Sequence, residues 1–458
     1  MKEIILLSGI GIFSMIAEML NLRKIILPAV ILGLAAMVGL CFIDWNQNET
    51  VFGMLNFDHF ALAFTGVFCS IALIWLLSTL DHWHHKSNYS DLISLACFAM
   101  VGGLILVSYS NLVMLFLGVE ILSIPLYVLA GSNKSDTFSN ESSFKYFLLG
   151  SFASGFLLFG ITLLYGSTGS FDLAKIASFI HDNAHNMPQL MTIGVLLVIV
   201  GLAFKVSVVP FHFWAPDVYQ GAPTPITAFM ATIVKTVAFA GFFRLFYICF
   251  KQTGSMFADE FWSLSALTFM VANIIAAAQH SVKRMLAYSS ISHAGFMLIT
   301  LMSLNDRSGA VLLYYVGVYS VASIAAFMVL NKVSESHENR EGIEIFDGLV
   351  KKNPLLAGTM TLSLLSMAGI PPLSGFFAKY FIFTQALQQH HIWLVVLAIL
   401  GSVISIYYYF RVIIGMFFKN ENHNAVYNLS LLHTILLIGT SAIIIFLGIY
   451  PDALMGIL

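Results

Sequence analysis

Charge is what this sequence lacks most. Of its 458 residues, 10% are Asp, Glu, Lys or Arg, and 59% are hydrophobic. A soluble domain carries about 25% charged residues, so this chain cannot coat a water-exposed body of its size, and a soluble globular protein is excluded. The few charges balance to a net −2 with no Lys/Arg tract. That excludes the basic footprint that nucleic acid requires. Cysteine is scarce as well. Cys41, Cys69, Cys97 and Cys249 stand alone in apolar surroundings, with no CxxC or Cys/His spacing. Neither an iron–sulfur nor a zinc motif is present, and the four read as buried small hydrophobes. His82, His84 and His85 in DHWHHK read as loop residues rather than metal ligands. No GxGxxG opens a strand–helix unit, so the dinucleotide fingerprint is missing too.

What is there is a series of apolar runs of about 20 residues, the length that spans a bilayer as a helix. Fourteen candidate spans lie near 4–20, 24–43, 58–80, 91–109, 111–130, 143–166, 189–208, 222–248, 260–280, 284–304, 308–331, 354–388, 392–418 and 429–450. They are apolar on all faces without strand-like alternation, and lipid accepts only helices or closed barrels. The expected fold class is an all-α polytopic membrane protein. MKEIILLSGIGIFSMIAEML reads as the first retained helix rather than a leader, because it has no evident small-residue cleavage site. The seventh and twelfth spans look discontinuous. Pro210, Pro216 and Gly221 follow one, and Gly369-Ile370-Pro371-Pro372 interrupts the other; proline removes a helix donor and clashes with the preceding turn.

Loop charges give an orientation. One set of loops carries Arg23, Lys24, Lys86, Lys134, Lys283, Arg284, Lys332, Arg340, Lys351, Lys352 and Lys419. The other carries little beyond Lys2, Lys175, Lys251 and Arg307. Basic loops stay cytoplasmic, which places both termini on the outer side, the periplasm in a Gram-negative bacterium. Residues 171–186 read as a short amphipathic helix on that side, and 333–353 as a charged cytoplasmic stretch. The segments divide into an N-terminal three-helix part (1–90), a block of five (91–250), a second block of five (259–419) and a C-terminal helix (420–458). Each block has its broken helix in fourth place. Five is odd, so a second copy would sit inverted, an arrangement that marks ion-handling transport folds.

Four ionisable residues fall well inside the spans: Glu120, Lys205, Lys235 and Lys379. A charge at a helix centre costs about 2.5–3.5 kcal/mol on insertion scales, so these residues should face inward, pair, or line a hydrated path. Three lysines against one glutamate cannot all be fixed ion pairs. A buried lysine whose proton is loosely held can accept and pass protons. His212 in the first break and His293 in AYSSISHAGF are the natural bridges, with Tyr288, Ser289, Ser290, Ser292 and Thr236 to hold water. A static Glu120–Lys205 pair, a snorkelling Lys379 and packing histidines are the plainer readings. Lys145 and Arg411 lie nearer span ends and read as anchors.

FKVSVVPFHFWAPDVYQGAPTPITAFMATIVKTVAF resembles the defining segment of the antiporter-like membrane subunits of respiratory complex I, the NADH-quinone oxidoreductases. QHSVKRMLAYSSISHAGF and AGIPPLSGFFAKYF are similar to that family's second-half segments, and Lys379 points to its N-type branch. The resemblance implies fourteen helices in two inverted five-helix repeats. It implies a proton-translocating axis of Glu120, Lys205, His212, Lys235, His293 and Lys379, with Glu120 partnering Lys205. It also implies no cofactor in this chain, with NADH, FMN, iron–sulfur clusters and quinone in partner subunits. The implied partners are sister antiporter-like subunits and peripheral subunits, and the implied location is the bacterial inner membrane. A subunit of a multisubunit cation/proton antiporter or of a membrane-bound hydrogenase shares these motifs. A stand-alone solute transporter and a passive scaffold are the remaining alternatives.

Overall fold

The computed structural model describes residues 1–84, 88–253, 256–420 and 427–458. Lys86, His85 and the side chain of His84, together with 421–426 of the expected C-terminal segment, lie outside the described residues. Every predicted apolar segment falls on a helix. Among the described residues eleven helices are long and apolar enough to cross a membrane, and Gln189–Lys205 and Pro354–Ala368 are shorter apolar helices. Polar side chains at the loop junctions start several of them. Asp58 accepts from the Ala61 amide, Asn111 from Val113, Asp136 from Phe138 and Ser281 from Arg284, each satisfying an N-terminal donor that the helix itself cannot.

The helices sort by burial. Thr224–Phe250, Val282–Met302 and Ser308–Glu335 bury the whole of their apolar stretch, whereas Thr137–Thr168 and Leu431–Ile449 bury about a third of theirs. The outer helices therefore present Phe and Leu outward, as Phe144, Phe152 and Phe159 do. The three central helices carry Lys235, Ser290, His293, Tyr315 and Tyr319. This layering puts the polar side chains as far from the surrounding lipid as the fold allows.

Both expected breaks are present. One helix ends at Lys205 and resumes as the half-helix Trp214–Gly221. The other ends at Ala368 and resumes as Ser374–Gln388. In the first break Ser207 adopts φ 59°, a left-handed conformation that costs a non-glycine residue about 1–3 kcal/mol. In the second that position is glycine: Gly369 at φ 85° receives the helix end, its amide donating to the Leu365 carbonyl at 3.1 Å. A close backbone approach fixes the second break from outside, because a Cβ on Gly448 would lie 2.2 Å from the Pro372 carbonyl oxygen.

Two features lie between the helices. The amphipathic helix is present as Leu173–Asp182, with Leu173, Ile176 and Ile180 buried. Between the second and third expected spans lies a short antiparallel hairpin, Glu49–Val51 with Leu55–Phe57. Arg244 clamps its base. Its guanidinium reaches Asp58 at 2.8 Å, the Tyr109 carbonyl at 2.7 Å and the Asn56 carbonyl at 3.4 Å.

Candidate functional site

Lys205 is the last residue of its helix and is buried. Its ammonium donates to Ser123 Oγ at 2.7 Å and to the Tyr146 hydroxyl at 3.4 Å, and lies 5.7 Å from the Tyr146 ring centroid. The expected partner Glu120 is not in ion-pair contact. Its carboxylate accepts a hydrogen bond from Ser154 Oγ instead. The two are nevertheless neighbours through the protein, since Ser123 lies one helical turn beyond Glu120 on the same face. A small cavity beside Lys205 is lined by Ser123, Tyr127, Tyr146 and Ser154, the residue that holds Glu120; it has room for about one water molecule. Trp214, the first residue past the break, stacks on Tyr146 with centroids 4.5 Å apart and planes 5° from parallel. Its Nε1 donates to the Phe204 carbonyl at 3.0 Å, which also accepts from the Ser207 amide at 3.0 Å. His212 is buried within the break, and its Nδ1 has no hydrogen-bond partner among the described residues.

Lys235 follows directly on a π-helical turn, Met230–Val234. Such turns widen an α-helix by one residue and occur often at functional sites. The ammonium donates to the Ser290 carbonyl at 2.6 Å and to Ser290 Oγ at 2.5 Å. One turn along the same helix is His293, whose Nδ1 lies 2.8 Å from the Tyr315 hydroxyl. The His293 and Tyr319 rings are 4.9 Å apart. Lys379 completes the series from the far side of the second break. It donates to the Ala368 carbonyl at 2.8 Å, on the last residue before that break, and sits 5.1 Å from the Phe296 ring centroid. A second small cavity, lined by His293, Tyr315, Tyr319, Ser366, Gly375 and Ala378, lies between His293 and the helix of Lys379.

Among the described residues no carboxylate comes within ion-pair distance of Lys205, Lys235 or Lys379. Each ammonium is held by hydroxyl and carbonyl oxygens. An unpaired charge away from water is expensive, so a proton on any of these nitrogens is poorly compensated. Lys145 and Arg411 behave as anchors: Lys145 pairs with Asp217 at 2.7 Å and Glu141 at 2.6 Å, and Arg411 donates to the Ala277 carbonyl at 3.1 Å. Lys283 pairs with Glu341 at 2.9 Å and donates to the Ala222 carbonyl at 2.8 Å, beside a polar cavity that also includes Gln220, Thr224 and His280. Ser123, Ser154, Tyr146, Tyr315 and Tyr319 belong to the site and were not flagged by the sequence. Only Ser123, three residues after Glu120, carried a signal.

Residues 110–405 match a family profile described as "NADH:quinone oxidoreductase/Mrp antiporter, TM". NADH-quinone oxidoreductase subunit N of Cytophaga hutchinsonii is 44% identical over 100% of this chain and 99% of its own length. The chain belongs to the NADH-quinone oxidoreductase subunit N family. Its relative of that name in Flavobacterium psychrophilum is 42% identical, with both chains covered over 100% of their lengths. Among solved structures, a chain of respiratory complex I from Thermus thermophilus with bound aureothin superposes with TM-score 0.85 and 31% identity, covering 99% of this chain and 98% of that one. A chain of the membrane-bound sulfane sulfur reductase, an archaeal respiratory membrane complex, gives TM-score 0.90 at 25% identity, covering 99% of this chain and 95% of that one. A chain of the Mrp complex from Dietzia sp. shares the fold at TM-score 0.88 and 18% identity, covering 100% of this chain and 96% of that one. In this chain the three buried lysines and the two helix breaks thus lie on the fold shared with these structures.

Proposed function

We propose that this chain translocates protons as a membrane subunit of a bacterial NADH-quinone oxidoreductase, along an axis running through Glu120, Lys205, His212, Lys235, His293 and Lys379. The observation that carries this reading is that three lysines buried among apolar helices are held only by neutral oxygens. In lipid, such groups are retained for ion or proton handling. Lys205 and Lys379 each sit at a helix break, where freed carbonyls and small cavities admit water.

In this reading the chain crosses the membrane fourteen times with both termini on the periplasmic side of the inner membrane. Residues 91–250 and 259–419 form inverted repeats, flanked by the 1–90 and 420–458 segments. The two breaks support inversion, since one lysine precedes its break and the other follows its own. Redox chemistry belongs to partner subunits that hold NADH, FMN, iron–sulfur clusters and quinone, with sister antiporter-like subunits alongside.

Coupling acts at Lys205. When Glu120 swings from Ser154 across the cavity to Lys205, a carboxylate supports the ammonium. When it returns to Ser154, Lys205 keeps only Ser123 and Tyr146, and its proton leaves through His212 and water for Lys235. Ser290, His293 and Tyr315 then carry the path towards Lys379. Replacing Lys205 by Met in the intact complex, in native membrane vesicles, is expected to abolish this subunit's share of NADH-driven proton translocation while the complex still assembles. Unchanged translocation would refute the reading.

A further inference from the structure

The half-helix after the first break is eight residues long, Trp214–Gly221, and begins without a side-chain cap. A helix so short does not hold itself in place; lateral contacts must set its position. Its far end is fixed sterically, because a Cβ on Gly221 would lie 2.1 Å from Ser142 Oγ and 2.4 Å from the Phe138 carbonyl oxygen. Its near end carries Trp214 against Tyr146. Between them, Asp217 makes two ion pairs in opposite directions. One carboxylate oxygen meets Lys145 at 2.7 Å, and the other meets Arg284 at 2.9 Å.

Those partners sit in informative places. Lys145 is the residue before Tyr146, whose hydroxyl and ring face Lys205. Arg284 belongs to Val282–Met302, the helix that presents Ser290 to Lys235. Trp214 and Asp217 are one turn apart, so they move together. Asp217 therefore ties the half-helix both to the helix that seats Lys205 and to the helix that seats Lys235.

We infer that Asp217 is a positioning residue for proton transfer at Lys205: its ion pairs with Lys145 and Arg284 lock the half-helix so that Trp214 holds Tyr146 against the Lys205 ammonium. This rests on the proton-transfer role of Lys205 proposed above. Removing the Asp217 charge leaves Lys145 with Glu141 at 2.6 Å and Arg284 with Gln220 at 2.8 Å. The cations stay satisfied, and the half-helix keeps the Gln220–Arg284 hydrogen bond but loses both of its ion pairs.

The test compares variants in the assembled complex in native vesicles, scoring subunit content, NADH oxidation and proton translocation, with Lys205→Met as the scale. Asp217→Asn is expected to lose more than half of the translocation that Lys205→Met loses, and Asp217→Glu to regain it. Because Asp217 acts through Tyr146, Asp217→Asn combined with Tyr146→Phe is expected to be no worse than Tyr146→Phe alone. A merely structural aspartate would give losses that multiply, and that result would overturn the inference. So would wild-type translocation by Asp217→Asn where Lys205→Met has lost it. Normal translocation by Lys205→Met would instead refute the underlying reading of the axis. If Asp217→Asn does not assemble, Lys145→Met and Arg284→Gln each remove one tie. Each is expected to lose part of the same translocation, and normal translocation by both would overturn the lock.

Discussion

The two helix breaks each place a buried lysine, but with different materials. At the first, Lys205 ends the incoming helix, and its ammonium turns to side chains, Ser123 and Tyr146. At the second, Lys379 lies in the outgoing half-helix and reaches back to the main chain, to the carbonyl of Ala368. The first break holds a strained serine, and the Glu120 carboxylate is held by Ser154, which lines the small cavity at Lys205. The second uses glycine, is pinned from outside at Gly448, and puts an aromatic face beside its lysine. Side-chain ligands can rotate away and backbone ligands cannot. In the proposed reading, the difference puts switching at the Lys205 end and fixed conduction at the Lys379 end.

That assignment can be broken by substitution. The largest effect is expected at the rigid break. Gly448→Val forces a side chain into the Pro372 carbonyl and should destabilise the fold by about 1–3 kcal/mol or more, visible as a lowered melting temperature of the detergent-solubilised complex and poor assembly. At the first break the close backbone approach lies at Gly221, at the far end of the half-helix, so side-chain changes beside Lys205 should act on rate. Ser123→Ala removes a hydrogen bond to an ammonium, a contact of about 1.5–3 kcal/mol. It should cut this subunit's share of proton translocation about tenfold with assembly intact, and Ser123→Thr should restore it. Ser154→Ala frees Glu120 from its resting partner. Its effect should be smaller, about threefold, and should reach translocation before it reaches quinone reduction.

The smallest effect is expected far from both breaks. Lys251 and Asp306 pair at 2.5 Å between loops, and the hydrogen bond from Lys251 holds the Asp306 carboxyl below its usual range. A depressed carboxyl stabilises the fold above its unfolded titration range and loses that contribution as pH falls through its folded value. Asp306 is fully exposed to solvent, and such pairs are screened. Asp306→Asn should therefore melt with the native complex from neutral pH to about pH 4, the unfolded carboxylate value. A clear separation of the two curves would show that surface pairs matter more here than the core lysines imply.

Much of this arrangement was legible in the residues. Apolar runs without alternation marked the helices, prolines and glycines marked the breaks, and lysines without acidic neighbours marked the axis. The ligands of those lysines were not legible. Ser123 and Tyr146 reach Lys205 across 82 and 59 residues of sequence. A neutral hydroxyl in an apolar helix looks the same whether it meets a lysine or its own backbone, as Thr65 does at the Ala61 carbonyl. The expected Glu120–Lys205 contact came from the family resemblance together with the signs of the two charges. Sign does not fix distance when a serine competes for the carboxylate. The hairpin at 49–57 was missed because three-residue strands carry too little periodicity, and the π-helical turn before Lys235 leaves no compositional mark.

The central claim is that both breaks lie on one path. It is tested most directly by measuring NADH-driven proton translocation in native vesicles for Lys205→Met, Lys379→Met and the double variant, each normalised to assembled complex. Stations in series predict that each single change removes the same share and that the double removes no more. Unequal single losses that add in the double would show two separate routes and contradict the account.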